Sequence, residues 1–264
     1  MPVVHGLAIL DGTVMPATEA RLPVTDDGLL RGDGVFEVIR IYAGRPFALD
    51  EHLARMSRSA ANLRLELSPP DVAADLAALL EAAGPVDAAV RVLVTRGGHR
   101  LALLEALAEL PPTLALATVT YAPTRVMDAI KSLSYAANML ARRLAVERGA
   151  DDALLVTPHG RVLEGPTTSF FYVLGGALHT PPLADHILDS ITRRHVLAAS
   201  DATERVTTMD DLPRLEEAFM ASTLREVHPV HAIDGRPLPA APGPVSARVA
   251  TAVRERIEAA LDVA

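Results

Sequence analysis

Alternation of apolar and polar residues predicts strands in the first part of the chain. Within 34–42, Phe36, Val38 and Arg40 share one side, because successive side chains of a strand point to opposite faces. An arginine that shares a strand face with two apolar residues is a candidate binding group. Further strands are predicted at 7–10, 14–15, 90–95 and 114–121, the first two joined by the turn Asp11-Gly12.

Apolar residues spaced three or four positions apart predict helices. Leu53, Met56, Ala60 and Leu63 form such a stripe, and it follows the acidic pair Asp50-Glu51, which favours a helix start. The apolar stretch from residue 101 to Pro111-Pro112 also favours a helix. Further helices are predicted at 71–83, 134–148, 193–199 and 245–261.

The second half of the chain combines short strands with helices. Strands are predicted at 153–156, 161–163, 169–174 and 217–221, with turn residues between them. Together with the helices, they indicate an α+β fold. We predict a small N-terminal α/β domain at 1–121, a linker at 122–128 and a larger C-terminal α/β domain at 129–264.

Composition narrows the range of partners. The net charge is −8 and there is no basic tract, so nucleic acid is an unfavourable partner. The chain has no cysteine, which excludes disulfides and thiolate metal ligands and fits a reducing compartment. Charges or prolines interrupt every long apolar stretch, so we expect no membrane span and a cytoplasmic location. We also expect no metal site, because His228 and His231 have no nearby acidic ligand at a suitable spacing.

Lys131 is the single lysine among 25 Lys and Arg residues. Arginine can replace lysine in surface charge and in most ion pairs, but a guanidinium stays protonated and cannot act as an amine nucleophile. Lys131 therefore has a candidate role that only an amine fills, such as a Schiff base with a carbonyl. The alternative is that one lysine persists at the surface without a function, and composition alone leaves both explanations open.

Five segments resemble one enzyme family in matching order. They are Arg31-Gly-Asp-Gly-Val-Phe-Glu-Val-Ile-Arg40, Glu51-His-Leu-Ala-Arg55, Ile130-Lys-Ser-Leu-Ser-Tyr-Ala-Ala-Asn138, Leu163-Glu-Gly-Pro-Thr-Thr168 and Ser190-Ile-Thr-Arg193. Together they resemble the fold-type IV pyridoxal-phosphate enzymes, which include D-amino-acid and branched-chain aminotransferases and aminodeoxychorismate lyase. The resemblance implies a two-domain fold whose larger domain is a pseudo-barrel, and a homodimer.

The resemblance implies a cofactor, pyridoxal 5'-phosphate (PLP), and a role for each matching residue. Lys131 matches the Schiff-base lysine that also moves the substrate proton. Glu164 matches the carboxylate at the pyridine nitrogen, and Leu188 an apolar residue packed against the ring. The residues that match the phosphate-binding groups are Arg55, Ile191, Thr192, Ser222 and Thr223.

Substrate contacts are expected from the strand face that carries Phe36, Val38 and Arg40. Lyases of this family commonly have threonine where Val38 stands, and valine has no hydroxyl to assist proton transfer. For the substrate α-carboxylate, the candidates are Arg40, Arg96, His99 and Arg100, because a guanidinium binds a carboxylate at two points. Each of these could equally be a solvated charge.

The expected activity is transfer of an amino group from an amino acid to a 2-oxo acid. D-amino acids are the favoured donors, and a weakened carboxylate site would also admit (R)-amines. The alternatives are a branched-chain L-amino-acid aminotransferase, an aminodeoxychorismate lyase and a catalytically silent PLP-binding protein. Handedness of the donor depends on pocket shape, which the sequence does not give.

Overall fold

The computed structural model of the protein describes residues 4–262. Its helices are α1 (Asp27–Arg31), α2 (Leu49–Leu63), α3 (Pro69–Ala83), α4 (Ala136–Glu147), α5 (Ile191–Ala199) and α6 (Pro244–Asp262). Its strands are β1 (Val4–Leu10), β2 (Thr13–Pro16), β3 (Gly34–Tyr42), β4 (Arg45–Pro46), β5 (Ala88–Thr95), β6 (Arg100–Glu105), β7 (Leu114–Thr120), β8 (Asp152–Val156), β9 (Ser169–Leu174), β10 (Ala177–Thr180), β11 (Thr203–Glu204), β12 (Glu217–Ser222), β13 (Glu226–Ile233) and β14 (Arg236–Pro237). This composition confirms the predicted α+β class.

The chain divides into two compact units. Unit 1 holds the described residues up to Glu109 together with Ala129–Tyr135, and unit 2 holds Leu110–Asp128 and Ala136–Asp262. Relative to the predicted domains, β7 belongs to unit 2 and the segment around Lys131 belongs to unit 1. The division into domains at 1–121 and 129–264, joined by a linker at 122–128, stays a prediction.

Unit 1 is a six-stranded sheet with helices on one face. Its strand order is β2-β1-β6-β5-β3-β4, and every neighbouring pair is antiparallel. Alternation places Val35, Ile39 and Ile41 of β3 on the face that packs against Met56 and Ala60 of α2, in one buried core. The opposite face of this sheet carries Phe36, Val38 and Arg40, as the sequence predicts.

Unit 2 is built on an eight-stranded sheet. The strand order is β11-β10-β9-β12-β13-β7-β8, with β14 paired to β13. Helix α4 packs on β7 and β8, while α5 packs on β12 and on α6. Within residues 4–262, none of the helices is both long and apolar enough to span a bilayer.

Two predicted elements differ from the structure. The helix predicted from residue 101 to Pro111-Pro112 is wrong, since Arg100–Glu105 is strand β6 between β5 and β1. Leu101 and Leu103 lie on one face of β6 and Leu104 on the other, so both faces are apolar and the alternation is hidden. The strand predicted at 161–163 forms isolated bridges only.

Candidate active site

Lys131 lies on an extended segment that pairs with the edge of β3. The amide of Phe36 donates to the carbonyl of Lys131 at 3.1 Å, and Val35 and Ser132 form an antiparallel bridge. Directly paired residues on antiparallel strands point to the same face. The pairing therefore puts the Lys131 side chain on the same face of the sheet as Phe36.

Gly34 permits this close pairing. The amide of Leu133 donates to the Gly34 carbonyl at 2.9 Å. A Cβ built at position 34 would lie 2.5 Å from the Val94 carbonyl oxygen and 2.7 Å from the Leu133 side chain. A larger residue would therefore collide with the backbone of β5 and with the Leu133 side chain, so both neighbours of β3 depend on glycine at this position.

Two aromatic rings lie next to the Lys131 amine. Nζ lies 4.1 Å from the ring centroid of Phe36 and 5.6 Å from that of Tyr135. The two rings pack edge to face at 5.1 Å. Aromatic carbon thus covers part of the amine, and Tyr135 is a neighbour that the sequence analysis did not identify.

We call the side of the sheet that carries Lys131 the Phe36 face. It comprises Phe36, Val38 and Arg40 of β3, Arg91 and Leu93 of β5, and Leu101, Leu103 and Glu105 of β6. Cross-strand pairs establish it, because Val38 lies opposite Arg91 while Arg40 and Glu105 both lie opposite Ala89. Val38, Arg40 and Arg91 are half-buried, in contrast to the fully buried residues on the other face.

A buried ionic cluster lies behind the Phe36 face, between β3 and α2. Glu37 is 1% exposed and accepts hydrogen bonds from Arg55 Nε at 2.7 Å and Nη2 at 2.6 Å. His52 Nδ1 lies 2.8 Å from the same carboxylate. Helical spacing explains the cluster, because positions 52, 55 and 59 lie on one face of α2. Ser59 Oγ accepts a hydrogen bond from the Lys131 amide at 3.1 Å.

The cluster has a defined protonation state. Burial alone would raise the pKa of Glu37, but hydrogen bonds from Arg55 and His52 lower this pKa to about 2. Burial lowers the pKa of His52, and together with the charges of Arg55 and Lys131 it outweighs the opposing effect of Glu37, so the imidazole is neutral near pH 7. His52 therefore donates from Nδ1, and Nε2 is left as a buried acceptor without a hydrogen-bond partner among the described residues.

The four candidates for carboxylate binding have different surroundings. Arg96 binds Asp33 at 3.0 Å and two backbone carbonyls, His99 binds Asp11 at 2.8 Å, and Arg100 binds Asp75 at 2.8 Å. Arg100 moreover points to the face of the sheet that packs against α3, away from the Phe36 face. Arg40 differs, since its Nε is buried and has no hydrogen-bond partner in the described chain, while its Cζ lies 4.8 Å from the Tyr42 ring centroid.

In unit 2, the loop that precedes α5 is hydrogen-bonded to Glu164. Glu164 Oε1 accepts a hydrogen bond from the Leu188 amide at 3.0 Å, and the Ser190 amide donates to the Leu188 carbonyl at 2.8 Å. Ser190 is the N-cap of α5, where its hydroxyl accepts from the Arg193 amide at 3.3 Å. The loop therefore fixes the carboxylate and the helix N-terminus relative to each other.

The N-terminus of α5 presents two amides that have no acceptor in the described chain. A helix leaves its first four N–H groups without intrahelical partners, and here Ser190 and Arg193 satisfy theirs locally. The amides of Ile191 and Thr192 remain. Such amides, aligned with the helix dipole, favour an anion such as a phosphate. Buried Arg193 anchors this helix end through Glu204 at 2.6 Å and the Pro181 carbonyl at 3.0 Å.

Other hydroxyl groups of unit 2 lie on neighbouring strands. Thr168 Oγ1 and Ser169 Oγ are buried without hydrogen-bond partners among the described residues. Ser169 pairs with Ala221 across β9 and β12, next to Ser222 and Thr223 at the end of β12. Unpaired buried hydroxyls are costly in a folded protein, so they are available for a polar ligand.

These groups fit PLP. The free amides of Ile191 and Thr192 suit its phosphate, and the carboxylate of Glu164 suits a protonated pyridine nitrogen. Lys131 supplies the amine that an aldehyde cofactor requires. This fit concerns the groups of each unit separately: Lys131 in unit 1, and Glu164, Ile191 and Thr192 in unit 2.

Comparisons with known proteins identify the family. The profile of the family "Amino-transferase class IV" matches residues 34–233. A Methanocaldococcus jannaschii protein provisionally named a branched-chain-amino-acid aminotransferase is 34% identical, over 86% of this chain and 88% of its own. The D-alanine aminotransferase of Bacillus licheniformis is 31% identical, over 94% and 96%.

Solved structures agree with this result. The branched-chain aminotransferase of the thermophilic archaeon Thermoproteus uzoniensis, solved with norvaline, superposes with a TM-score of 0.88 at 28% identity, covering 95% of this chain and 94% of that one. The chain therefore belongs to the class IV aminotransferases and has their fold-type IV architecture. It is a PLP-dependent transaminase whose substrates are an amino acid and a 2-oxo acid, which confirms the predicted activity and cofactor.

Replacing Glu37 by Gln is expected to destabilise unit 1, because Arg55 and His52 lose a charged acceptor in the interior. We expect the free energy of unfolding at pH 7 to fall by about 3–5 kcal/mol, the usual cost of breaking a buried ion pair. Since folding lowers the pKa of Glu37 from 4.5 to about 2, its stabilisation is complete above pH 4.5 and is lost as the pH falls towards 2. Urea denaturation as a function of pH measures both effects.

The matched control is Glu81→Gln, because Glu81 is an exposed residue of α3. This variant should change stability by no more than about 0.5 kcal/mol. Equal losses in the two variants would show that the Glu37 cluster carries no special stabilisation.

Proposed function

We propose that this aminotransferase takes its amino group from D-amino acids, with (R)-amines as secondary donors, and passes it to a 2-oxo acid. Recognition of an amino acid is supported by Arg40, which lies on the same sheet face as Lys131 and whose buried Nε has no hydrogen-bond partner among the described residues. The D-alanine aminotransferase relative, which matches over almost its full length, supports the handedness.

Lys131 is the proposed catalytic residue. Its amine holds the cofactor between reactions and, once released, carries the proton that leaves the substrate Cα. When bound, PLP supplies an electrophilic aldehyde and an electron-withdrawing ring. Phe36 and Tyr135 limit the positions of the amine, because their two rings, packed edge to face, cover one side of it.

The proposed cofactor-binding residues act by charge and by hydrogen bonds. The Glu164 carboxylate keeps the pyridine nitrogen protonated, and the Leu188 amide holds that carboxylate in place. The amides of Ile191 and Thr192 bind the phosphate, and the side chain of Leu188 packs against the ring. Ser222 and Thr223 complete the proposed phosphate-binding set together with Arg55, which would have to bind the phosphate while its Nε and Nη2 stay bonded to Glu37.

We assign the substrate α-carboxylate to Arg40. Arg96, His99 and Arg100 each already bind a carboxylate of this chain, so another anion would have to displace that partner or share the cation with it. A substrate anion bound to Arg40 instead supplies the partner that its buried Nε lacks. Phe36 and Val38 then contact the apolar part of the substrate.

A second candidate is transamination of branched-chain L-amino acids. The half-buried side chains of Val38, Leu93, Leu101 and Leu103 give the Phe36 face an apolar surface that suits such side chains. The Methanocaldococcus jannaschii relative supports this candidate. Both candidates use the same cofactor chemistry and differ in the face of the substrate that meets Lys131.

The proposal includes a homodimer and a cytoplasmic location. Val24, Leu29 and Leu30 are 76%, 62% and 60% exposed in unit 1, and a second copy would remove these apolar side chains from water. The absence of cysteine is compatible with a reducing compartment. Light scattering of the purified protein tests the dimer.

A donor panel tests the proposed substrate. Purified holoenzyme is mixed separately with D-alanine, L-leucine, (R)-1-phenylethylamine and aminodeoxychorismate, and loss of the visible absorbance of the cofactor is followed without an acceptor. We expect the fastest loss with D-alanine. Faster reaction with L-leucine would favour the second candidate, and turnover of aminodeoxychorismate alone would contradict both.

Replacing Lys131 by Arg keeps the positive charge and removes the amine. We expect transamination to fall by about 10²–10⁴-fold or more, because proton transfer alone contributes that factor. Borohydride reduction followed by peptide mass mapping should find a phosphopyridoxyl group on the Lys131 peptide of the wild type and none in the variant. An adduct at another position would show that Lys131 does not hold the cofactor.

A further inference from the structure

The turn between β12 and β13 carries Ser222 and Thr223, which the proposed function assigns to the cofactor phosphate. Ser222 pairs with Glu226 across the two strands, so the three residues 223–225 form the turn. Helix α5, whose first amides are assigned to the same phosphate, packs on β12. The position of this turn therefore decides whether the Ser222 hydroxyl and the α5 amides can bind one anion.

The backbone of Arg225 holds the Ser222 hydroxyl in place. The Arg225 amide donates to the Ser222 carbonyl at 3.2 Å and to Ser222 Oγ at 3.3 Å. The hydroxyl oxygen thus already accepts a hydrogen bond, whereas the hydroxyl proton has no acceptor among the described residues. A half-buried hydroxyl in this state is a ready donor to an anion.

The Arg225 side chain joins this turn to β8. Its Nη2 donates to Asp152 Oδ2 at 3.0 Å, and the side chains of Arg225 and Asp152 are 10% and 1% exposed. Burial raises the pKa of Asp152, and the positive charge of Arg225 opposes this rise. Because β7 lies between β13 and β8 in the sheet, the buried ion pair ties the turn to a strand that is not its neighbour.

His228 holds the other terminal nitrogen of the guanidinium. Arg225 Nη1 lies 3.4 Å from His228 Nδ1, and His228 Nε2 lies 2.7 Å from the Pro111 carbonyl oxygen. A carbonyl oxygen only accepts, so Nε2 carries the imidazole proton. Burial lowers the pKa of His228, so the imidazole is neutral near pH 7 and Nδ1 accepts from Arg225. Two partners in different directions therefore fix the orientation of the guanidinium.

Glu226, the residue after Arg225, is anchored as well. Its φ of 53° is a left-handed backbone conformation that is unfavourable for a residue with a Cβ. Its carboxylate binds Arg254 of α6 at 2.8 Å. Strain of this kind persists where surrounding contacts hold the backbone, and it is frequent at ligand-binding sites. Ion pairs on two consecutive residues thus hold the end of the turn from two sides.

We propose that Arg225 is a positioning residue for the cofactor phosphate, because its buried ion pair with Asp152 holds the turn where the Ser222 hydroxyl donates to a phosphate oxygen. The inference rests on the proposed function and adds a residue that the sequence analysis did not identify. Arg225 acts through Ser222, since its own terminal nitrogens bind Asp152 and His228. A donor that is fixed before the anion arrives loses little conformational freedom on binding.

The test compares PLP with pyridoxal, which has the same ring and aldehyde but no phosphate. The dissociation constant of each compound is measured with the full chain freed of cofactor, from the change of visible absorbance on binding. The ratio of the constant for pyridoxal to the constant for PLP reports the contribution of the phosphate. A general disturbance around Lys131 or Glu164 changes both constants and leaves their ratio unaltered, so the ratio separates positioning of the phosphate donor from loss of structure.

Four variants have defined expected ratios. Arg225→Met combined with Asp152→Asn, which leaves no unpaired buried charge, should lower the ratio by about 10-fold, the usual effect of losing one hydrogen bond to a charged group. Ser222→Ala should lower it by a similar factor. All three changes together should lower it no further, because Arg225 acts through Ser222. Arg248→Met, at an exposed position of α6, is the control and should leave the ratio unchanged.

Each outcome decides the proposal. An unchanged ratio in Ser222→Ala or in the double variant, or a further fall in the triple variant, overturns the role of Arg225. If the double variant does not fold, Arg225→Lys decides the question. It keeps the charge beside Asp152 but replaces two terminal nitrogens by one, so the ratio must fall several-fold, and an unchanged ratio overturns the proposal. Failure of the wild type to bind PLP at all would contradict the proposed function instead.

Discussion

A carboxylate buried between a sheet and a helix organises unit 1. Glu37 is almost fully removed from water, and an ion in that position is tolerated only when hydrogen bonds replace its hydration. Arg55 and His52 supply them from one face of α2, and Ser59, one turn further, binds the backbone of Lys131. The contact that compensates the charge and the contact that holds the lysine segment thus come from the same helix face.

In unit 2, the candidate cofactor-binding groups are positioned mainly by backbone amides. The Leu188 amide binds Glu164, and Ser190 caps α5 so that the amides of Ile191 and Thr192 stay available. Backbone amides have fixed directions and carry no desolvated charge, so they form a rigid anion site at low energetic cost. The amides of Ile191 and Thr192 suit a doubly charged phosphate, and the carboxylate of Glu164 suits a single pyridine nitrogen.

Local patterns in the sequence predict much of this arrangement. Alternation in β3 correctly assigns Phe36, Val38 and Arg40 to one face, and the capping residue Ser190 marks the start of α5 two residues earlier than the apolar pattern does. Family resemblance, and not periodicity, identified Glu164 and the candidate phosphate-binding residues. Their roles remain proposals.

Other features depend on contacts between distant residues and could not be predicted. No local pattern shows that α2 turns a histidine and an arginine inward, because both residues also fit an exposed helix face. Arg225 was missed because its partner Asp152 lies 73 positions away in the chain. The pairing of Lys131 with β3 joins segments almost a hundred positions apart, and only the folded chain brings them together.

The path of the chain limits how this protein can be divided. The polypeptide leaves unit 1 after Glu109, contributes β7 to unit 2, returns for Ala129–Tyr135 and leaves again. No single cut separates the two units with their parts intact, and a fragment that ends at Glu109 would lack the lysine altogether. Exchange of one unit between related enzymes therefore requires three junctions, after Glu109, before Ala129 and after Tyr135, so the two units are expected to evolve together and not as separate modules.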